Sequence, residues 1–149
     1  MAKFKFRLAT LQRLRESTRD ERRAALAEAY QAQQILAERM QEKQEELAAL
    51  RTSYSDASAP GRIEVERLMN AQRFELMVRG ELQVMEDQSR LVEQEIERRR
   101  QALVEADRQV RVLEKLHDKQ LERHRYEQLV REMKQLDEIA SRPPSREVG

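Results

Sequence analysis

The sequence predicts an all-α fold: a two-helix antiparallel coiled-coil hairpin whose second helix is longer and overhangs the first. Three observations carry the prediction. Of 149 residues 38% are charged, and three glycines, three prolines and 4% aromatics leave too few breakers and too little bulky apolar surface for a layered globular domain. Apolar residues recur at alternating spacings of three and four, the mark of a coiled-coil seam. The single turn-rich stretch inside the chain, Ser55-Asp56-Ala57-Ser58-Ala59-Pro60-Gly61, lies off-centre.

These signals predict one coiled-coil domain over residues 1–149, with a helix over 4–54, a loop over 55–62, a helix over 63–140 and a disordered tail over 141–149. Folded at the loop, the second helix outlasts the first by roughly 27 residues, or about 40 Å at 1.5 Å per residue.

The first helix has its seam at Phe4, Leu8, Leu11, Arg15, Thr18, Arg22, Ala25, Ala29, Gln33, Leu36, Met40, Lys43, Leu47, Leu50 and Tyr54. Two successive steps of four at Ala25, Ala29 and Gln33 form a stutter. The second helix has its seam at Leu68, Ala71, Phe74, Val78, Leu82, Met85, Ser89, Val92, Ile96, Arg99, Leu103, Ala106, Val110 and Leu113, with a stutter of its own at Phe74, Val78 and Leu82. Matching apolar to apolar around the loop sets Leu50 against Leu68, Leu36 against Leu82, Leu11 against Ala106 and Phe4 against Leu113, so that facing residue numbers add to 117 or 118. The seam is thin and rich in Arg, loosest around 15–22 and 95–103, and Gly80 in mid-helix costs about 1 kcal/mol relative to Ala.

Pairing in this register ends at Leu113. Beyond it Tyr126, Leu129, Met133, Leu136 and Ala140 form a stripe with nothing opposite. A stripe without an internal partner implies an external one: a docking face for another protein, or a second overhang in a dimer.

Charge limits the partner classes. The net charge is +1, so the whole chain is no polyanion binder, although residues 1–23 hold eight Lys and Arg against three acids. Arg98-Arg99-Arg100 is interleaved with Glu93, Glu95, Glu97 and Glu105 and reads as a salt-bridged solvated face, not a nucleic-acid site. There is no cysteine, hence no disulfide framework and no thiolate metal site. No apolar run approaches the ~20 residues of a membrane span, and the N-terminus lacks the apolar core of a secretory signal. The expected location is the cytoplasm.

Chemistry has little to stand on. His117 and His124 lie seven residues apart, too far to chelate one metal. Glu114-Lys115-Leu116-His117 matches half of a di-iron Glu-x-x-His motif, which needs a second copy and two further carboxylates. Both histidines read as solvated helical residues. There is no phosphate loop and no Cys/His nucleophile pair, and the carboxylates face water. No catalytic residue, metal or cofactor is expected.

The chain ends narrow the reading. Phe4-Lys5-Phe6-Arg7-Leu8 through Leu11-Gln12-Arg13-Leu14-Arg15 resembles the N-terminal signature of the FliJ family of flagellar type III export proteins. Leu113-Glu114-Lys115-Leu116 and Glu132-Met133-Lys134-Gln135-Leu136-Asp137-Glu138-Ile139-Ala140 resemble its C-terminal signature. The resemblance implies a non-catalytic stalk similar to the central stalk of rotary ATPases, with its joined ends in the pore of the hexameric export ATPase. It implies a loop end directed at the cytoplasmic domain of the membrane export gate, and export chaperones as partners of some members. Such a protein is peripheral to the inner membrane, at the flagellar base, only through its partners. On this reading Arg7, Leu8, Leu11, Arg13, Tyr126, Leu129, Met133, Leu136, Asp137 and Glu138 form the ATPase-facing end. Leu47, Leu50, Tyr54, Phe74 and Val78 form the gate-facing end. The alternatives are an injectisome stalk, another coiled-coil scaffold or a holdase-type chaperone, with a nucleic-acid or membrane-surface binder further off.

Overall fold

In a computed structural model the described residues are 3–57 and 64–143. They form two helices packed as a helical hairpin: α1, Ala9–Ala57, of 49 residues, and α2, Val65–Ser141, of 77 residues. The turn-forming stretch from Ser58 to Gly61 and the end of the expected tail lie outside the described residues. The chain divides into two compact units, Met1–Arg19 with Glu105–Gly149, and Asp20–Val104.

The expected helix starts shift inward. Lys3–Leu8 is not helical, and the first turn of α1 is set by Ala9 N donating to Phe6 O at 3.2 Å and Gln12 N to Leu8 O at 2.9 Å. At the other helix start Leu68 N donates to Glu64 O at 3.1 Å, and Glu66 places an acid in the first turn of α2, where the helix dipole favours it.

Within the unit Asp20–Val104 the core is Ala29, Val78 and Ile96, all buried, with Leu36, Met40, Leu47, Leu50, Leu82, Met85 and Val92 half-buried around them. Every expected seam position here packs inward except two. Arg22 is exposed, and Phe74 is turned out while Glu75 takes its place. The seam of α2 therefore runs Ala71, Glu75, Val78, Leu82, Met85 without the expected stutter. A steady 4-3-4-3 alternation keeps one face toward α1, whereas two steps of four would have rotated it away.

The register differs from the expected one by about a heptad. Lys43 Nζ lies 2.7 Å from Glu81 Oε2, and Arg99 Nη1 donates to the carbonyl of Ala25 at 2.6 Å; both pairs of residue numbers add to 124, not 117 or 118. In the unit Met1–Arg19 with Glu105–Gly149, Arg15 Nη1 donates to Gln109 Oε1 at 2.7 Å, and this pair also adds to 124. A slip of one heptad leaves apolar residues facing apolar ones, so the hydrophobic pattern cannot choose between the two registers. The polar seam residues can. In the expected register Lys43 would face Phe74 and Arg15 would face Leu103, so neither would find a polar partner across the seam. In the observed one each finds an acceptor, the way a polar seam residue fixes alignment in coiled coils.

The core of this second unit is Ala106, Val110 and Leu113 of α2, covered by half-buried Leu8 and Leu11. Pairing does not stop at Leu113. The ring of Phe4 lies 5.5 Å from both His117 and His124, and that of Phe6 lies 5.0 Å from His117. A non-helical segment covers up to ~3.3 Å per residue against 1.5 Å for a helix. Lys3–Leu8 thus reaches further along α2 than another turn of α1 could. The two histidines are packed against aromatic rings instead of standing free in solvent.

Candidate interaction surfaces

The sequence assigns two surfaces, and the helices present their residues unequally. In the unit holding both chain ends, Leu8 and Leu11 face α2, and Leu11 lines a groove with Arg15, Gln109, Val112 and Leu113. Arg7 and Arg13 are exposed beside them. On α2, Tyr126, Leu129, Met133 and Leu136 are between 54% and 67% exposed, with exposed Asp137 and Glu138 next to them. Residues 131–141 are exposed on every side of the helix.

This stripe does not continue the seam. Counting about 100° per residue, Tyr126, Leu129, Met133 and Leu136 all point within about 60° of the direction opposite His124. His124 is the residue that meets Phe4. The inward-facing column of α2 runs on through Leu121, His124 and Gln128, which are half-buried. Both stripes have the same three-four spacing, and the number of residues between them turns one away from the other. Phe4, which reaches His124 through the non-helical start, marks the column that faces inward.

At the other candidate surface most of the assigned residues are packing residues. Val78 is fully buried, and Leu47 and Leu50 are half-buried in the seam, so Val78 presents nothing to a partner. Tyr54 is half-buried, with its hydroxyl accepting from Gln72 Nε2 at 3.0 Å. Phe74 is 45% exposed. The pair Tyr54 and Phe74 is what remains available. Leu76, Met77 and Met69 of α2 are also exposed nearby in sequence and were not assigned. Their signal is simply that they fall between seam positions. An open apolar groove of about 440 Å³ runs between Ala32, Ile35 and Leu36 of α1 and Leu91 and Val92 of α2.

Electrostatics are those of a solvated helix pair. Hydrogen bonding to Glu81 holds the Lys43 ammonium above its ordinary value against partial desolvation, helped by Glu46 at 3.4 Å. Glu81 Oε2, the atom that Lys43 Nζ meets, is out of contact with solvent. Hydrogen bonds from Arg98 at 2.7 Å and Arg99 at 2.8 Å hold the Glu95 carboxyl below its ordinary range. Among the described residues no cluster of His, Asp and Glu could hold a metal ion, and no helix is long and apolar enough to cross a membrane.

The sequence model of the family described as "Flagellar FliJ protein" matches residues 4–149, nearly the whole chain. No curated protein and no solved structure matches it.

Proposed function

The chain belongs to the FliJ family of flagellar proteins, and on that premise we propose that it is a non-catalytic stalk or adaptor of flagellar protein export that links the hexameric export ATPase to the cytoplasmic domain of the membrane export gate. The observation that carries the proposal is the exposed stripe of Tyr126, Leu129, Met133 and Leu136 on a stretch of α2 that α1 does not cover. Burying a large apolar side chain is worth about 1.5–3 kcal/mol. Four of them support docking even after the several kcal/mol lost on association. Asp137 and Glu138 on α2, with Arg7 on the N-terminal segment and Arg13 on α1, orient the contact more than they strengthen it.

Leu8 and Leu11 contribute by holding the N-terminal segment against α2. The gate-facing contact falls to Phe74 and Tyr54, with Leu47, Leu50 and Val78 supporting them from the seam. Export chaperones are further partners in this reading, and the protein works at the cytoplasmic face of the inner membrane, held there through its partners. Co-elution of the full chain with the hexameric ATPase, and separately with the gate's cytoplasmic domain, is the expected result. A chain that binds neither overturns the proposal.

A further inference from the structure

Gly80 sits in the interior of α2, where glycine weakens a helix, and packing within the chain does not require it there. A Cβ built on it meets nothing within 4 Å. Its neighbours on the same face are unusual for a surface. Met69, Leu76, Val84 and Leu91 are between 49% and 72% exposed. At about 100° per residue all four point within about 40° of Gly80. They are spaced seven, eight and seven apart, the rhythm of a helix that packs against another helix. Val78, which faces α1, points about 160° away on the same count. The face is thus the outer one, with Leu91 at its edge, where it also borders the open groove toward Ile35 and Leu36 of α1.

The face is also its own complement. A two-fold axis passing Gly80 brings α2 against an antiparallel copy of itself in which residue numbers across the contact add to 160. Leu76 then meets Val84, and Met69 meets Leu91. Arg73 meets Asp87, twice by symmetry. Gly80 meets Gly80 at the centre, where the lack of a side chain lets two helix backbones approach. Asp87 is 3.9 Å from Arg90 in the single chain, a solvent-exposed pair of the kind that is worth little and re-forms easily. We propose that this outer face of α2 is a homodimer interface, antiparallel and centred on Gly80. A foreign partner would need neither the apolar self-matching nor the opposed charges; a two-fold interface needs both.

The proposal is independent of the ATPase-docking reading and uses no residue of the 126–136 stripe. Its test starts from sedimentation equilibrium of the full chain, with a concentration-dependent monomer–dimer equilibrium as the expected result. Because the chain has no cysteine, Gly80→Cys reports the axis directly: it cross-links to a dimer on mild oxidation, whereas Met133→Cys does not. Arg73→Asp and Asp87→Arg each weaken the dimer by about tenfold or more, since two like-charge contacts replace two opposed ones, and the double variant restores it. Leu76→Glu abolishes the dimer with the helical circular dichroism unchanged. A chain that stays monomeric at every concentration overturns the proposal. So does a dimer that cross-links at 133 and not at 80, or one that Arg73→Asp leaves intact.

Discussion

Lys43 of α1 and Glu81 of α2 meet at 2.7 Å, and the two residues fix the alignment of the helices around them. Their contact places charge on charge at a seam position where the apolar pattern is silent.

The register is open to a direct test. Lys43→Cys with Glu81→Cys is expected to be joined within the chain by a short bifunctional thiol reagent faster and in higher yield than Lys43→Cys with Phe74→Cys. Phe74 lies one heptad, about 10 Å of helix, further along α2. Cross-linking of the second pair and not the first would restore the register in which residue numbers add to 117.

Gly80→Ala is expected to raise the unfolding free energy by about 1 kcal/mol. Urea unfolding at a dilution where the chain is monomeric measures it. The new methyl group enters open space, so a loss of stability would mean that the outer face is packed in a way this structure does not contain.

Phe4→Ala is expected to free the start of the chain. The rings of Phe4 and Phe6 shield His117 and His124, so the imidazole proton resonances should move toward their free-solution positions, and the amides of the first turn of α1 should exchange faster. The rest of the chain should keep its protection. Unchanged imidazole shifts would mean that the N-terminal segment is not held on α2.

Acid should remove the contribution of Glu95. Its folded-state carboxyl is held below the ordinary 4.5 by Arg98 and Arg99. A lowered pKa gives stability that is present above the unfolded-state value and is lost as the pH falls through the folded-state value. Wild type should therefore be more stable than Glu95→Gln near neutrality, and the difference should shrink once the pH drops below the ordinary carboxylate range. A difference that grows on acidification would contradict the assignment.

The helices, the antiparallel pairing and the unequal arm lengths were legible because a 3-4 apolar rhythm and one off-centre breaker leave few other folds. Phe74 reads as a seam residue in the sequence because a large apolar residue beside a seam looks like one. Only the continuous 4-3-4-3 path through Glu75 and Val78 shows that it is not. The register is not legible in the apolar pattern because a heptad repeat is blind to a slip of one heptad; the acceptors of Lys43, Arg15 and Arg99 are what distinguish the two alignments. One of those acceptors, the carbonyl of Ala25, is main chain and carries no sequence signal at all. The stripe at 126–136 was legible as apolar and unpartnered, and its direction off the seam follows from counting about 100° per residue on from Leu113. What the seam meets beyond Leu113 was not legible, because that depends on how far Phe4 reaches.

Binding of the hexameric export ATPase by Leu129→Asp with Met133→Asp tests the central claim most directly, measured by titration alongside thermal unfolding. Both residues are more than half exposed and lie off the seam. The expected result is loss of binding by a factor of about a hundred or more, as two apolar side chains worth ~1.5–3 kcal/mol each are replaced by charges, with the unfolding of the paired helices unchanged. Wild-type affinity in the double variant, or collapse of the helical fold, would contradict the assignment of the stripe as the docking face.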